Sequence, residues 1–327
     1  MIISKTPFRI SFVGGGTDLR AYYGNQPGRV LSTTINKYIY VAVKKQIGIA
    51  EHKYRINWST VEYTDSIDDI EHPIVRESLK FLNIDEPLEI TTFADVPAYT
   101  GLGSSSSFTV GLLHALYALR GEMVSKSKLA SEAAHIEVDI LGRNMGKQDH
   151  YAAAYGDLNI FTFNPNESVF VEPVFYNQEN RAALETNLLM FYTSLTRNAS
   201  DILKTQIAET NRKIEALTKM RDLVIPLAKT ISSDSSLDDF GSILHENWEL
   251  KKGITAQISN STINKLYQDA MDCGATGGKL LGAGGGGFML FFAAQEYHAS
   301  IRSKLSGFSE LEFNFDREGT RITHYDN

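Results

Sequence analysis

Apolar residues gather in short β-branched and aromatic runs at the start of the chain and shift to helical spacing further on. Residues 2–12 read as extended, and residues 30–43 hold strand-like runs such as Tyr38-Ile39-Tyr40-Val41-Ala42-Val43. Residues 88–93 predict another strand, followed by Pro97 and the loop Gly101-Leu102-Gly103. Phe108, Leu112, Leu116 and Leu119 then recur at spacings of three and four, with serines before them and Gly121 just after. Those are the start and stop signals of a helix. Residues 128–141 predict a second helix, with Leu129, Ala133, Ile136 and Ile140 on one face and Glu137 beside that stripe.

Beyond Asn198 the spacing of Leu203, Ile207, Ile214, Leu217 and Val224 predicts one long amphipathic helix that Pro226 ends or kinks. The last third reads as a helix (262–271), a glycine loop (282–287), a strand (288–292), a helix, and a strand in which Leu311, Phe313 and Phe315 alternate. The pattern is α+β, with a boundary near residue 185 separating domains 1–185 and 186–327. No repeat or low-complexity linker marks that boundary.

The chain has 327 residues, enough for two domains and a buried core without staples. Its formal net charge of −7 comes without a block of like charges, so no footprint for nucleic acid is present. Cys273 is the only cysteine, which excludes an intrachain disulfide framework and a cysteine-based zinc site; it reads as a small filler rather than a nucleophile. The first residues lack the layout of a signal peptide, and the longest apolar runs are too short to span a bilayer, so a cytoplasmic protein with no membrane partner is expected.

Glycines concentrate in three loops: residues 14–18, 97–107 and 277–287. Any one of them alone reads as a tight turn. In the middle loop, glycines let a polyanion approach the backbone, and the serines open a helix whose unpaired N–H groups favour negative charge. That is a phosphate cradle; Ser104 as a simple N-cap accounts for one serine of four. No Gly-x-x-x-x-Gly-Lys-Ser/Thr occurs, so the loop is not a Walker A loop. The match of residues 282–287 to Gly-x-Gly-x-x-Gly precedes a strand rather than a helix, which disfavours a dinucleotide site.

Over nearly its whole length the chain resembles the GHMP kinases, named for galactokinase, homoserine kinase, mevalonate kinase and phosphomevalonate kinase. Three signatures carry the resemblance: Thr6-Pro7-Phe8-Arg9 through Gly14-Gly15-Gly16-Thr17-Asp18; Pro97 through Gly101-Leu102-Gly103-Ser104-Ser105-Ser106-Ser107; and Gly278-Lys279 through Gly287. The resemblance implies an amino-terminal domain like ribosomal protein S5 domain 2, a ferredoxin-like carboxy-terminal domain and a site between them. The opening Ser-Lys-Thr-Pro-Phe-Arg with Val-Gly-Gly-Gly-Thr-Asp-Leu is most similar to the D-glycero-D-manno-heptose 7-phosphate kinases. It implies ATP and Mg²⁺, transfer to the anomeric hydroxyl of that sugar phosphate to give the 1,7-bisphosphate, and a product bound for nucleotide-activated heptose and surface glycans. A monomer or homodimer fits.

By the same resemblance, Asp149 is the general base or acceptor-positioning group, a helix N-cap being its other reading. Arg9 pairs with it and stabilises the transferring group, while Ser105 and Glu137 hold the metal. Gly101, Leu102, Gly103, Ser104, Ser105, Ser106 and Ser107, with Gly284 and Gly285, hold ATP. Asp18, with Gly16 and Thr17, faces the sugar. Galactokinases have Gly-Glu-His-Thr-Asp where this chain has Gly-Gly-Gly-Thr-Asp, which opens room for a longer substrate. Arg20, Arg143, Lys147 and Arg197 are candidates for a substrate phosphate, each also readable as a surface charge, and His150 reads as structural. An unphosphorylated sugar of the fucose, arabinose or galactose type, and a non-catalytic sugar- and ATP-binding regulator, are the alternative functions.

Overall fold

A computed structural model describes every residue except 196–198, 234–236 and 327, and the side chains of residues 199 and 200 also lie outside the description. Arg197 is therefore outside the described residues.

Two sheets organise the chain. The larger has nine strands, and its main path runs Arg321–Tyr325, Ile2–Val13, Gly28–Lys45, Leu88–Ala94, Tyr54–Asn57, Val61–Thr64. Asn159–Phe163 and Phe315–Asp316 also pair with Gly28–Lys45, and Val169–Pro173 continues from Asn159–Phe163. The smaller is antiparallel, in the order Ser309–Glu310, Leu188–Tyr192, Phe288–Phe292, Gly277–Leu280. The two sheets part between residues 173 and 188, and the strands at 315–316 and 321–325 cross back to the first.

Every residue from Thr6 to Val13 is buried, so both faces of the first strand are covered there. Ser104–Leu119 and Gln148–Tyr155 pack on it, as does Asp238–Lys252 from the second half. Ser104–Leu119 is apolar nearly all round, as befits a buried helix. Gly111 lets it touch the strand: a Cβ there would come 2.7 Å from Thr6 Oγ1. Ladder pairing slips between Pro7 and Phe8, where proline has no N–H to give; Ser107 Oγ donates to the Pro7 carbonyl at 3.0 Å, and the Arg9 N–H turns to the Leu102 carbonyl at 3.1 Å. The slip therefore ties the strand to the serine loop.

Four expectations change. The single long helix after residue 198 is three helices, Ala199–Glu209, Ile214–Asp222 and Val224–Ser232. Pro226 lies in the first turn of the third, where a missing N–H costs nothing, so it helps begin a helix rather than end one. Leu311 and Phe313 pack on the core without a ladder of their own, and only Ser309–Glu310 and Phe315–Asp316 pair. The second predicted helix exists as Lys126–Ala134 but widens into a π turn, His135–Ile140, that carries Glu137. Among the described residues, no helix is long and apolar enough to cross a membrane.

Candidate active site

Arg9 and Asp149 meet at the centre. Arg9 Nε donates to Asp149 Oδ1 at 2.6 Å and Nη2 to Oδ2 at 2.7 Å, while Nη1 donates to the Gly101 carbonyl at 2.6 Å. This is the bidentate geometry only arginine supplies, and Arg9 is buried. Asp149 is not an N-cap. It lies in the first turn of Gln148–Tyr155, whose positive end also favours its charge.

The three glycine loops converge on this pair. A Cβ at Gly282 would come 2.7 Å from the Gly101 Cα, and Phe288 N–H donates to the Thr100 carbonyl at 3.1 Å, so the second and third loops lie back to back. Ser104 is not the N-cap either. That position belongs to Gly103, in the left-handed region with φ +82°, and no side chain caps the helix. Its first N–H groups are left for an anion. Among the described residues, Ser104 Oγ and Ser106 Oγ are buried without a partner, whereas Ser107 is tied to Pro7 and Ser105 turns to Glu137. Gly284 and Gly285 are braced on Ile258: the Gly285 N–H donates to its carbonyl at 2.9 Å, and a Cβ at Gly284 would meet its Cα at 2.8 Å.

Glu137 is fully buried and accepts four contacts. Oε1 takes Thr109 Oγ1 at 2.9 Å and lies 3.0 Å from His150 Nε2; Oε2 takes the Ser105 hydroxyl and Arg143 Nη1, the latter at 2.5 Å. Burial works to raise the Glu137 pKa, but the hydrogen bond and charge of His150, with Arg143 and Ser105, outweigh it and hold the group below the ordinary glutamate value. His150, itself fully buried, braces Glu137. Arg143 also donates to Ser105 Oγ at 3.2 Å. A guanidinium thus already sits where a cation bridging Ser105 and Glu137 would bind, and the oxygen donors suit a hard divalent ion.

Asp18 is buried and, among the described residues, accepts only from N–H donors: Gly16 N at 2.9 Å, Gln148 Nε2 at 3.0 Å and Gln148 N at 3.2 Å. It therefore caps the helix that carries Asp149. A Cβ at Gly146 would fall 1.9 Å from Asp18 Oδ2, so that position admits only glycine. Burial, then the nearby Asp149 charge, raises the Asp18 pKa. Thr17 turns inward, its hydroxyl bonded to the Gly14 and Arg29 backbone, and a Cβ at Gly16 would come 2.4 Å from Gln206 Nε2.

Arg20 and Lys147 share a different partner. Arg20 pairs with Glu167 at 2.9 Å and Asp139 at 2.8 Å, Lys147 with Glu167, and all four line a cavity of about 220 Å³. Arg143 stands apart from them on Glu137. Sequence reasoning missed Asn247 and Lys251, on the helix Asp238–Lys252. Asn247 Oδ1 accepts the Gly14 N–H at 3.2 Å, and Lys251 Nζ donates to the Gly282 carbonyl at 2.5 Å. Phe240, Leu244, Asn247 and Lys251, spaced four, three and four apart, put two polar residues into an apolar stripe; that was the available signal.

Residues 73–157 match the family model for the GHMP kinases N terminal domain, and residues 225–308 the model for the GHMP kinases C terminal. A D-glycero-alpha-D-manno-heptose 7-phosphate kinase from Campylobacter jejuni is 31% identical over 98% of each chain. A bifunctional fucokinase/GDP-fucose pyrophosphorylase from Arabidopsis thaliana is 25% identical over 94% of this chain and 31% of its own. Among solved structures, a D-glycero-D-manno-heptose 1-phosphate kinase from Bacteroides thetaiotaomicron superposes with a TM-score of 0.82 at 24% identity, over all of both chains. A galactokinase from Lactococcus lactis superposes at 0.75 with 18% identity, over 98% of this chain and 94% of its own. These last two likenesses are of fold.

Proposed function

The chain belongs to the GHMP kinases and is an ATP-dependent kinase acting on a sugar, and within that class we propose that it phosphorylates the anomeric hydroxyl of D-glycero-D-manno-heptose 7-phosphate. The observation that carries this reading is the 31% identity to a heptose 7-phosphate kinase over nearly the full length of both chains.

In this reading Asp149 orients the acceptor hydroxyl and takes its proton as the new P–O bond forms and the bond to the ADP oxygen breaks. Arg9 fixes the carboxylate through both oxygens and presents its charge to the transferring group. The uncapped start of Ser104–Leu119, with Ser104 and Ser106, holds nucleotide phosphates. Ser105 and Glu137 are the residues that would hold Mg²⁺, which would neutralise phosphate charge.

A second reading, an unphosphorylated sugar, draws support from one feature: Arg20, Lys147 and Arg143 are each already paired with a carboxylate. The deciding experiment measures ADP release with ATP and Mg²⁺ over a panel of free sugars and sugar phosphates, with Asp149→Ala beside the wild type. Turnover of heptose 7-phosphate alone, lost in the variant, is expected. Preference for free fucose, arabinose or galactose would transfer the assignment to the second reading.

A further inference from the structure

The turn at residues 14–16 contains one glycine that the fold does not require. Gly14 and Gly16 are in the left-handed region, at φ +86° and +97°, and a Cβ on either would collide, 2.1 Å from the Arg29 carbonyl oxygen and 2.4 Å from Gln206 Nε2. Gly15 has neither reason. Its φ is not left-handed, and it is only half-buried. Apart from its chain neighbours, a Cβ on Gly15 would meet only two atoms of the described residues within 4 Å, Gln148 Nε2 and Ser11 Oγ, each at 3.6 Å. That is ordinary van der Waals contact, so the fold leaves a methyl-sized space over Gly15 with polar side chains as its walls.

Those walls are incomplete as hydrogen-bonding groups. Ser11 is 6% exposed, and its hydroxyl is buried with no partner among the described residues. Gln148 donates Nε2 to Asp18 Oδ1 at 3.0 Å, which leaves Oε1 as the acceptor, and Oε1 is likewise buried without a partner. An unpaired buried polar atom destabilises a fold and calls for a partner. The backbones of both residues are pinned: the Ser11 carbonyl accepts Lys279 Nζ at 2.6 Å, and the Gln148 N–H donates to Asp18 Oδ2 at 3.2 Å. On the same turn, Asn247 accepts the Gly14 N–H at 3.2 Å and holds it from the second half of the chain.

We propose that the space over Gly15 is a hydroxyl subsite for the acceptor sugar, with Ser11 and Gln148 as specificity-determining residues. A substrate hydroxyl other than the one phosphorylated donates to Gln148 Oε1 and accepts from Ser11 Oγ. A phosphate does not suit the place, because Gln148 Oε1 can only accept and the Asp18 carboxylate adjoins it. Gln148 is the neighbour of Asp149 in sequence, which sets the subsite beside the acceptor position. The proposal rests on the kinase reading above and adds to it the groups that read the sugar.

The test is steady-state kinetics of Ser11→Ala and Gly15→Ala, with ATP, Mg²⁺ and the sugar or sugar phosphate that wild type turns over best, beside melting temperatures. Ser11→Ala removes a hydroxyl that the fold does not use. It should melt no lower than wild type, while kcat/KM for the sugar falls roughly tenfold, the worth of one hydrogen bond. Gly15→Ala fills the space and should lose more than that, with its melting temperature and its KM for ATP unchanged. Either variant within about threefold of the wild-type kcat/KM overturns the proposal. A melting temperature that falls along with activity overturns it too, since the hydroxyl or the glycine would then serve the fold. If wild type turns over no sugar, the kinase reading fails on its own, and the same sugars are scored by thermal shift. Sugars that raise the melting temperature of wild type but not of Gly15→Ala sustain the subsite; equal shifts, or none, overturn it.

Discussion

Gly103 stands against the side chain of Asp149: a Cβ on Gly103 would lie 3.1 Å from Asp149 Oδ2 and 3.4 Å from Arg9 Cγ. The residue that caps the Ser104–Leu119 helix is therefore also a wall of the carboxylate's pocket. Gly103→Ala adds a left-handed backbone cost of about 1–2 kcal/mol to this crowding. We expect a lower melting temperature and a fall in kcat of more than about tenfold, since small misplacements near the reacting groups are costly. Steady-state kinetics beside calorimetry checks it; an alanine variant with wild-type kcat would sink the claim.

Arg9 and Asp149 should behave as one unit. Asp149→Asn is expected to cost about 10²–10⁴ in kcat while ATP still binds. Arg9→Met should cost a similar factor, and the double variant little more than either. Losses that multiply would show that the two act independently.

Arg143 occupies the junction of Ser105 and Glu137. Arg143→Ala should therefore bind a divalent ion more readily in the absence of nucleotide. Titration with Mn²⁺, followed by thermal shift, should raise the melting temperature of the variant further than that of wild type. Equal responses would mean that the guanidinium does not compete.

Glu137 sets an acid limit. Its folded pKa lies below the ordinary value, so it stabilises the fold above pH about 4.3 and loses that contribution as pH falls through the folded value. Glu137→Gln, which leaves Arg143 and His150 without a carboxylate, should cost about 3 kcal/mol at neutral pH. Denaturant melts in acid should show the two proteins converging, and a gap that persists unchanged would refute the assignment.

The strands of the first half were legible because β-branched and aromatic runs repeat there, and the helix at 104–119 because its spacing and start signals agree. The helices after residue 198 were not, because their apolar positions stay in phase while the axis breaks at residues 210–213 and 223. Arg9 and Asp149 were singled out by the family resemblance alone, and their pairing joins residues 140 apart. The partners of Arg143, Arg20 and Lys147 were hidden, since a free surface charge and a bridged one look alike in one sequence. Lys251 was hidden for the opposite reason: a charge within an apolar stripe reads as the helix's wet edge. Nothing in the residues from His135 to Ile140 announces a π turn, yet that turn places Glu137.

The return of the last strands to the first sheet bears on the order in which the molecule can assemble. Thr6 meets Thr320 across 314 residues, and Ile2, Ile3, Ser4 and Lys5 at the start of the first strand pair with Arg321–Tyr325. During synthesis the edge at residues 2–5 stays unpaired until residues 321–325 emerge, more than 300 residues later. Contacts so distant in sequence make for slow closure. Until residues 321–325 arrive, the incomplete chain carries an open strand edge of the kind that favours pairing with other chains.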